Sequence, residues 1–341
     1  MLADLTLGRI ARLSSTLLAI LLVQHALAQS SPAVPVFDLN VGLERATTMP
    51  GTLAVGTGQA GYLQLAKGHV SGILTPFPPA NAEPNAAVDI LSLRESLTTS
   101  DHFDSFGCAA KSSRIRTWFE LVSPEELAAD PSSVLLWITR GARAFRLVNG
   151  RDSALATSTA TPPAALVSGL TPIGREVVTR ILAGNGLVDV SRLSSIAFDE
   201  VIQLALASHE PVIATHVAAA ALAAHPWNMS DQQLIDISRT GGLVALTFDR
   251  RQLAPGRTAR IDHVVSQLKH LARTMGSDHV ALGSGFETGE DVPLDLESAA
   301  QFPRLAAKLL AAGLSRSDVE RIFHENAERV LCRASATVTK K

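Results

Sequence analysis

Short β-rich runs alternate with amphipathic helical runs along most of this chain, and few folds accept that pattern. Strands are expected at 34–40, 68–75, 134–139, 144–148, 187–190, 211–215, 243–248 and 279–283. Between the later ones lie helical patterns at 174–183, 195–207, 231–239 and 260–275. A strand–helix–strand unit builds parallel sheet, and eight of them imply a (βα)8 TIM-like barrel rather than an open sheet. The early connections are less regular. Residues 76–131 read as a long insertion, helical around 85–97 and 111–119. The tail reads as two closing helices, 303–314 and 315–331, within a closing region of about 303–331. Ser315 and Asp318 make a capping box, since each side chain can satisfy the other residue's free backbone amide.

Composition agrees with one large barrel. The 341 residues suit a single barrel of about 250 residues with insertions. Hydrophobic residues make up 46% of the chain and aromatics only 4%, so the core must be built mainly of Ala, Leu, Val and Ile. The formal net charge is −2 with no long basic or acidic block, which argues against nucleic acid as a partner. Residues 1–28 have the form of a secretory signal. Arg9 and Arg12 flank an apolar run from Leu17 to Val23, and Ala26-Leu27-Ala28 offers a small-x-small cleavage site. Cleavage after Ala28 would leave 29–341 as one domain, secreted or periplasmic. Export permits a disulfide, and Cys108 and Cys332 are the two cysteines; sequence leaves their pairing open.

Chemistry in such a barrel belongs at the carboxyl ends of its strands. Several motifs fall there: Leu170-Thr171-Pro172-Ile173-Gly174-Arg175-Glu176, then Val188-Asp189-Val190-Ser191-Arg192, then Ala214-Thr215-His216, then His225-Pro226-Trp227-Asn228 and Gly241-Gly242. Their order and spacing resemble the membrane (renal) dipeptidases, the zinc-dependent peptidase family M19. The resemblance runs over roughly 34–331 and is weak between 76 and 131. It implies a barrel of the metal-dependent hydrolase type, two zinc ions and dipeptide hydrolysis.

Residue by residue, the resemblance also implies that the metal site has been replaced. Where the family carries its first-strand ligands this chain has Asn40 and Gly42. Its bridging glutamate falls on Arg140, or on Thr139 with the register slipped by one, and its substrate-polarising histidine on Asn149. A histidine ligand falls on Arg192, the substrate-gripping arginine on Trp227, and the acid–base aspartate on Gly285. His216, preceded by Thr215, is the one retained ligand. Glu287 matches a second family aspartate near the mouth. Tight zinc binding needs three or four well-placed ligands, so no cofactor is expected. The expected partners are a small-molecule or dipeptide-like ligand and a second copy of the chain as a homodimer.

Three readings of function follow. The first is a secreted, catalytically degenerate member that binds a small anionic or peptide-like ligand, its pocket formed by Asn40, Arg140, Asn149, Arg192, Thr215, His216, Trp227 and Gly285. The second is an active metallo-dipeptidase with an atypical or single-metal site. The third is a structural or interaction barrel. In the first, the arginines supply the positive charge and push His216 toward its neutral form. Gly56-Thr57-Gly58-Gln59-Ala60-Gly61 satisfies G-x-G-x-x-G, but no convincing strand precedes it, so nucleotide binding is not inferred.

Overall fold

Eight parallel strands close on one another around a packed lumen, with helices on the outside. The computed structural model describes residues 33–42, 58–77, 100–105, 108, 113–122, 125–160, 169–289 and 291–333. In chain order these form β1 (Val36–Asp38), α1 (Tyr62–Lys67), β2 (Val70–Phe77), β3 (Phe103–Ser105), β4 (Ile115–Val122), α2 (Glu125–Ala129), α3 (Val134–Thr139) and β5 (Ala142–Arg146). There follow α4 (Pro172–Ala183), β6 (Leu187–Asp189), α5 (Ser195–Ser208), β7 (Val212–Val217), α6 (Asp231–Arg239), β8 (Leu243–Thr247), α7 (Arg250–Leu253), α8 (Ile261–Met275) and β9 (Val280–Gly283). The last described helices are α9 (Phe302–Ala311), α10 (Arg316–Glu320) and α11 (Asn326–Arg333). Strand β4 pairs with β2, and β1 with β9, so β1-β2-β4-β5-β6-β7-β8-β9 forms the closed ring. β3 lies alongside the first residues of β4. The expected (βα)8 barrel is therefore present.

The helices start where local chemistry starts them. Thr171 caps α4 by accepting from Gly174 N, with Pro172 following in the first turn. Ser194 caps α5, Ser230 and Gln233 form a capping box on α6, and the Ser315–Asp318 box opens α10 as expected.

Two assignments are corrected. Residues 134–139 form helix α3, not a strand. Residues 115–122 form strand β4, in place of the helix expected around 111–119. The region 76–131 thus holds the third barrel strand instead of an insertion. The helix expected at 85–97 and the leader 1–28 lie outside the described residues. Cys108 and Cys332 are bonded to each other, Cα atoms 5.4 Å apart, which ties the segment before β4 to α11.

Side-chain parity places the site. One apolar layer of the lumen consists of Phe37, Leu74, Trp118, Ala144, Leu187, Ile213, Ala245 and Ala281. Strand side chains repeat every second residue, so two positions further on the chain again faces inward. On β4 to β8 those positions are Glu120, Arg146, Asp189, Thr215 and Thr247, all buried; on β1, β2 and β9 they are Leu39, Pro76 and Gly283. The next layer up, toward the carboxyl ends, is therefore polar over five of the eight strands.

Candidate functional site

Arg146, on β5, is the hub of this layer. Its Nε donates to Asp189 Oδ2 at 3.0 Å. Its Nη2 donates to Glu120 Oε2 and, at 3.2 Å, to Thr215 Oγ1. Four consecutive members of the ring, β4 to β7, are thereby joined through one guanidinium that is 5% exposed. Asp189 is further held by Ser191 N at 2.9 Å, Ser191 Oγ at 2.7 Å, Thr215 N at 3.2 Å and Thr215 Oγ1 at 2.7 Å. Burial opposes its charge, but Arg146 and these donors outweigh burial and hold its carboxyl well below the usual range. Glu120 goes the other way: burial pushes its carboxyl well above the usual range, against the pull of Arg146.

His216 follows Thr215, and a register irregularity between Ala214 and Val217 lets both side chains reach the interior. His216 is 1% exposed, with Nδ1 at 2.8 Å from Thr215 Oγ1. Hydrogen-bond bookkeeping sets its tautomer. Thr215 has one hydroxyl hydrogen, and Asp189 as a carboxylate can only accept, so that hydrogen goes to Asp189. Nδ1 must then carry the proton donated to Thr215, and Nε2 is left as a bare lone pair. Nε2 has no partner. Burial, then Arg146 and Arg192, push the imidazole well below its ordinary pKa, so it is neutral.

At the rim, Arg192 follows Ser191 at φ 64°, in the left-handed region that a side chain enters only when its surroundings impose it. Its guanidinium stacks over the Trp227 ring at 4.0 Å, and Arg251 approaches the same ring at 5.1 Å. Arg251 is anchored by buried Asp249, through Nε at 3.0 Å and Nη2 at 2.6 Å. A Cβ added at Gly150 would stand 3.5 Å from Arg192 Nη1, so Gly150 lies beside this group, and Asn149 before it is exposed. Across the mouth, Asn40 O accepts from Gly285 N at 2.9 Å, with Gly285 at φ 77°. Glu287 turns to the preceding loop, where its Oε1 accepts from Ala60 N at 3.4 Å.

Of the expected pocket residues, Thr215 and His216 meet in the lumen, Arg192 and Trp227 stack at the rim, and Asn40 and Gly285 pair at the end of β1. Arg140 does not join them. It caps the C-terminus of α3 just before β5 begins, which is the opposite end of the barrel, and lies over Trp137 at 5.3 Å. Its misplacement follows from reading α3 as a strand. The residue at the end of the true third strand is Glu120. Sequence reading passed over both Glu120 and Arg146. The signal for Arg146 was its place two residues after Ala144 in a run otherwise apolar on that face; Glu120 stands in the same relation to Trp118.

Asp38, at the end of β1, is fully buried. Its Oδ1 accepts from Ser284 N at 2.9 Å and Asn40 N at 3.2 Å. Burial outweighs these bonds and raises its pKa to about 7. The sign follows from linkage. The unfolded carboxyl titrates near 4, so between about pH 4 and 7 the folded state holds the extra proton, and stability falls as pH rises. Asp38→Asn should remove up to about 1.4 kcal/mol of slope per pH unit in that window. Denaturant titrations at pH 5, 6 and 7 measure it; an unchanged slope would mean Asp38 is ionised throughout.

A closed ring of eight parallel strands with polar side chains toward its carboxyl ends and a rim built on the following loops is a (βα)8 barrel with its site where such barrels carry chemistry. The chain belongs to the membrane dipeptidase family, peptidase family M19, whose model matches residues 86–341. Dipeptidase tcpJ of Claviceps purpurea is 31% identical over 207 residues, 59% of this chain and 47% of that protein. The chain spans about half the length of the first curated relatives it matches. Among solved structures, the metallopeptidase dipeptidase AC superposes with a TM-score of 0.76 at 24% identity, covering 89% of this chain and 99% of that one. A metallopeptidase of Rhodobacter sphaeroides, liganded with a phosphinate mimic of the dipeptide L-Ala-D-Ala, gives 0.72 at 22% identity, covering 89% and 99%.

The residues here do not fit the family's pair of zinc ions. Arg146 brings its positive charge into direct contact with both lumen carboxylates. A second guanidinium, Arg192, lowers the basicity of His216. Among the described residues no group of three or more His, Cys, Asp or Glu is arranged to hold a metal ion.

Proposed function

We propose that this chain is a catalytically degenerate dipeptidase-family barrel that binds a small peptide-like ligand at its strand ends. The observation that carries the reading is Arg146, a permanent cation bonded to Glu120 and Asp189 at the level where the family places metal. Zinc entering there would have to displace a guanidinium that is already paired on both sides. The dipeptide mimic bound by the Rhodobacter relative supports the ligand class. The disulfide supports export to an oxidising compartment, as the leader sequence does. A homodimer remains part of the proposal and is read out by sedimentation.

Glu120 favours a second reading, hydrolysis at a single atypical metal, because it retains a carboxylate near His216. One experiment separates the two. Elemental analysis after dialysis is expected to give far less than one zinc per chain, and a dipeptide panel no chelator-sensitive hydrolysis. One or two retained zinc equivalents together with chelator-sensitive turnover would establish the active enzyme instead.

A further inference from the structure

The lumen layer holds more acceptor atoms than its own donors satisfy. Arg146 is the cation bonded to the two buried carboxylates Glu120 and Asp189. Asp189 is saturated with donors; Glu120 is not, since its Oε1 is buried and without a partner. His216 Nε2 is likewise buried and without a partner, and the tautomer fixed by Thr215 makes it an acceptor. The two are joined through one short chain of contacts, Glu120 to Arg146 to Thr215 to His216. At the neighbouring end of β1, Asp38 Oδ2 and Asn40 Oδ1 also lack donors. Buried polar atoms are rarely left this way, and a group of them at the carboxyl ends of barrel strands points to a partner that a ligand supplies.

We propose that the carboxyl end of the barrel lumen receives the primary ammonium group of its ligand, with His216 Nε2 and Glu120 Oε1 as acceptors. This rests on the reading of the site as a metal-free ligand site and names the chemistry of the group that enters it. An ammonium brings three N–H donors from one small group, which is what these two buried acceptors lack. Alkali and alkaline-earth ions carry charge but prefer all-oxygen shells, and an imidazole nitrogen suits them poorly. A carboxylate or phosphate would meet lone pairs with no donors of its own to offer them. The cations at the rim, Arg192 and Arg251 about Trp227, lie outside this layer and leave the floor to the amine.

Calorimetry on the full chain tests this, with ethylamine hydrochloride, sodium propionate and zinc chloride as separate probes at pH 7.5. Ethylammonium is expected to bind saturably, one per chain. Glu120→Gln and His216→Leu should each weaken it at least tenfold. Far-ultraviolet circular dichroism and a melting curve accompany each variant. Should Glu120→Gln fail to fold, His216→Leu, which leaves the Arg146 pairs in place, decides alone. Propionate binding without ethylammonium binding would overturn the ammonium assignment and leave the ligand-site reading standing. Stoichiometric zinc would overturn that reading itself. Ethylammonium affinity unchanged in a folded His216→Leu would move the amine elsewhere and overturn the inference.

Discussion

Replacing Arg146 by methionine should cost about 3–5 kcal/mol at pH 7, the penalty for leaving buried charge without its partner. The methionine fills similar volume but supplies none of the donors that Asp189, Glu120 and Thr215 now use. The deficit should depend on pH, and its sign can be worked out. In the parent chain Asp189 titrates below its unfolded value, so it contributes stability above the unfolded pKa that is lost as pH falls. In the variant, burial without Arg146 raises the same carboxyl, so the folded variant loses stability as pH rises. The gap between the two proteins should therefore widen from pH 4.5 to pH 7. Adding Glu120→Gln and Asp189→Asn to Arg146→Met should recover most of the loss, since a neutral layer of the same shape leaves no orphaned charge. Denaturant midpoints of the three proteins across that range are the measurement. A single variant within about 1 kcal/mol of the parent at pH 7 would show that both carboxyls are already neutral, and Arg146 would lose its standing as the internal cation.

That hub was the part of the site least legible in the sequence, and the reason is physical. A strand in a closed parallel barrel is buried on both faces, so its polar residues report lumen ion pairs and not solvent. In β4, Arg116, Thr117 and Glu120 interrupt the apolar run, and local pattern reads them as one wet face of a helix. Residues 134–139 failed in the opposite direction. Val-Leu-Leu-Trp-Ile-Thr has strand-like composition, but Asp130 Oδ1 accepts from Ser132 N and starts a turn that feeds α3. Val134 and Ile138, four apart, are buried, while Leu135 and Leu136 are exposed, which is a helical period. Where the amphipathic period was clear, the expected spans agree with the structure to within two residues: 174–183 for α4, 195–207 for α5 and 231–239 for α6, each opened by a side-chain cap from Thr171, Ser194 or Ser230. The motif neighbours of Ser191 and Thr215 likewise located Arg192 and His216 at strand ends. The strand-three register had no such anchor, and Arg140 was carried to the wrong end of the barrel with it.

Opening the Cys108–Cys332 bond should destabilise the protein by about 4 kcal/mol, because the crosslink closes a very long loop in the unfolded chain. The two cysteines are 224 residues apart, so the bond spans most of the barrel in sequence while its ends sit side by side in space. Loop-closure entropy rises with the logarithm of loop length, which puts this bond near the upper end of the usual range. The folded state adds a packing contribution. Both cysteines lie against the cluster of Phe37, Trp118, Ala327, Val330 and Leu331, where α11 covers the amino end of the lumen. Arg116 joins the same closure, bonded to Glu328 of α11 and stacked 5.7 Å from the Trp118 ring. These contacts remain in a reduced protein, so the barrel should stay folded at room temperature, with the loss appearing as an earlier unfolding midpoint. The comparison is between the parent chain and the double variant Cys108→Ser with Cys332→Ser, both in urea at pH 7. Serine keeps the size and avoids re-pairing. The variant should unfold at clearly lower urea, and reductant should move the parent to the variant's midpoint while leaving the variant unchanged. Coincident midpoints for the two proteins without reductant would show that the bond contributes nothing to stability, and that packing of α11 alone closes the barrel.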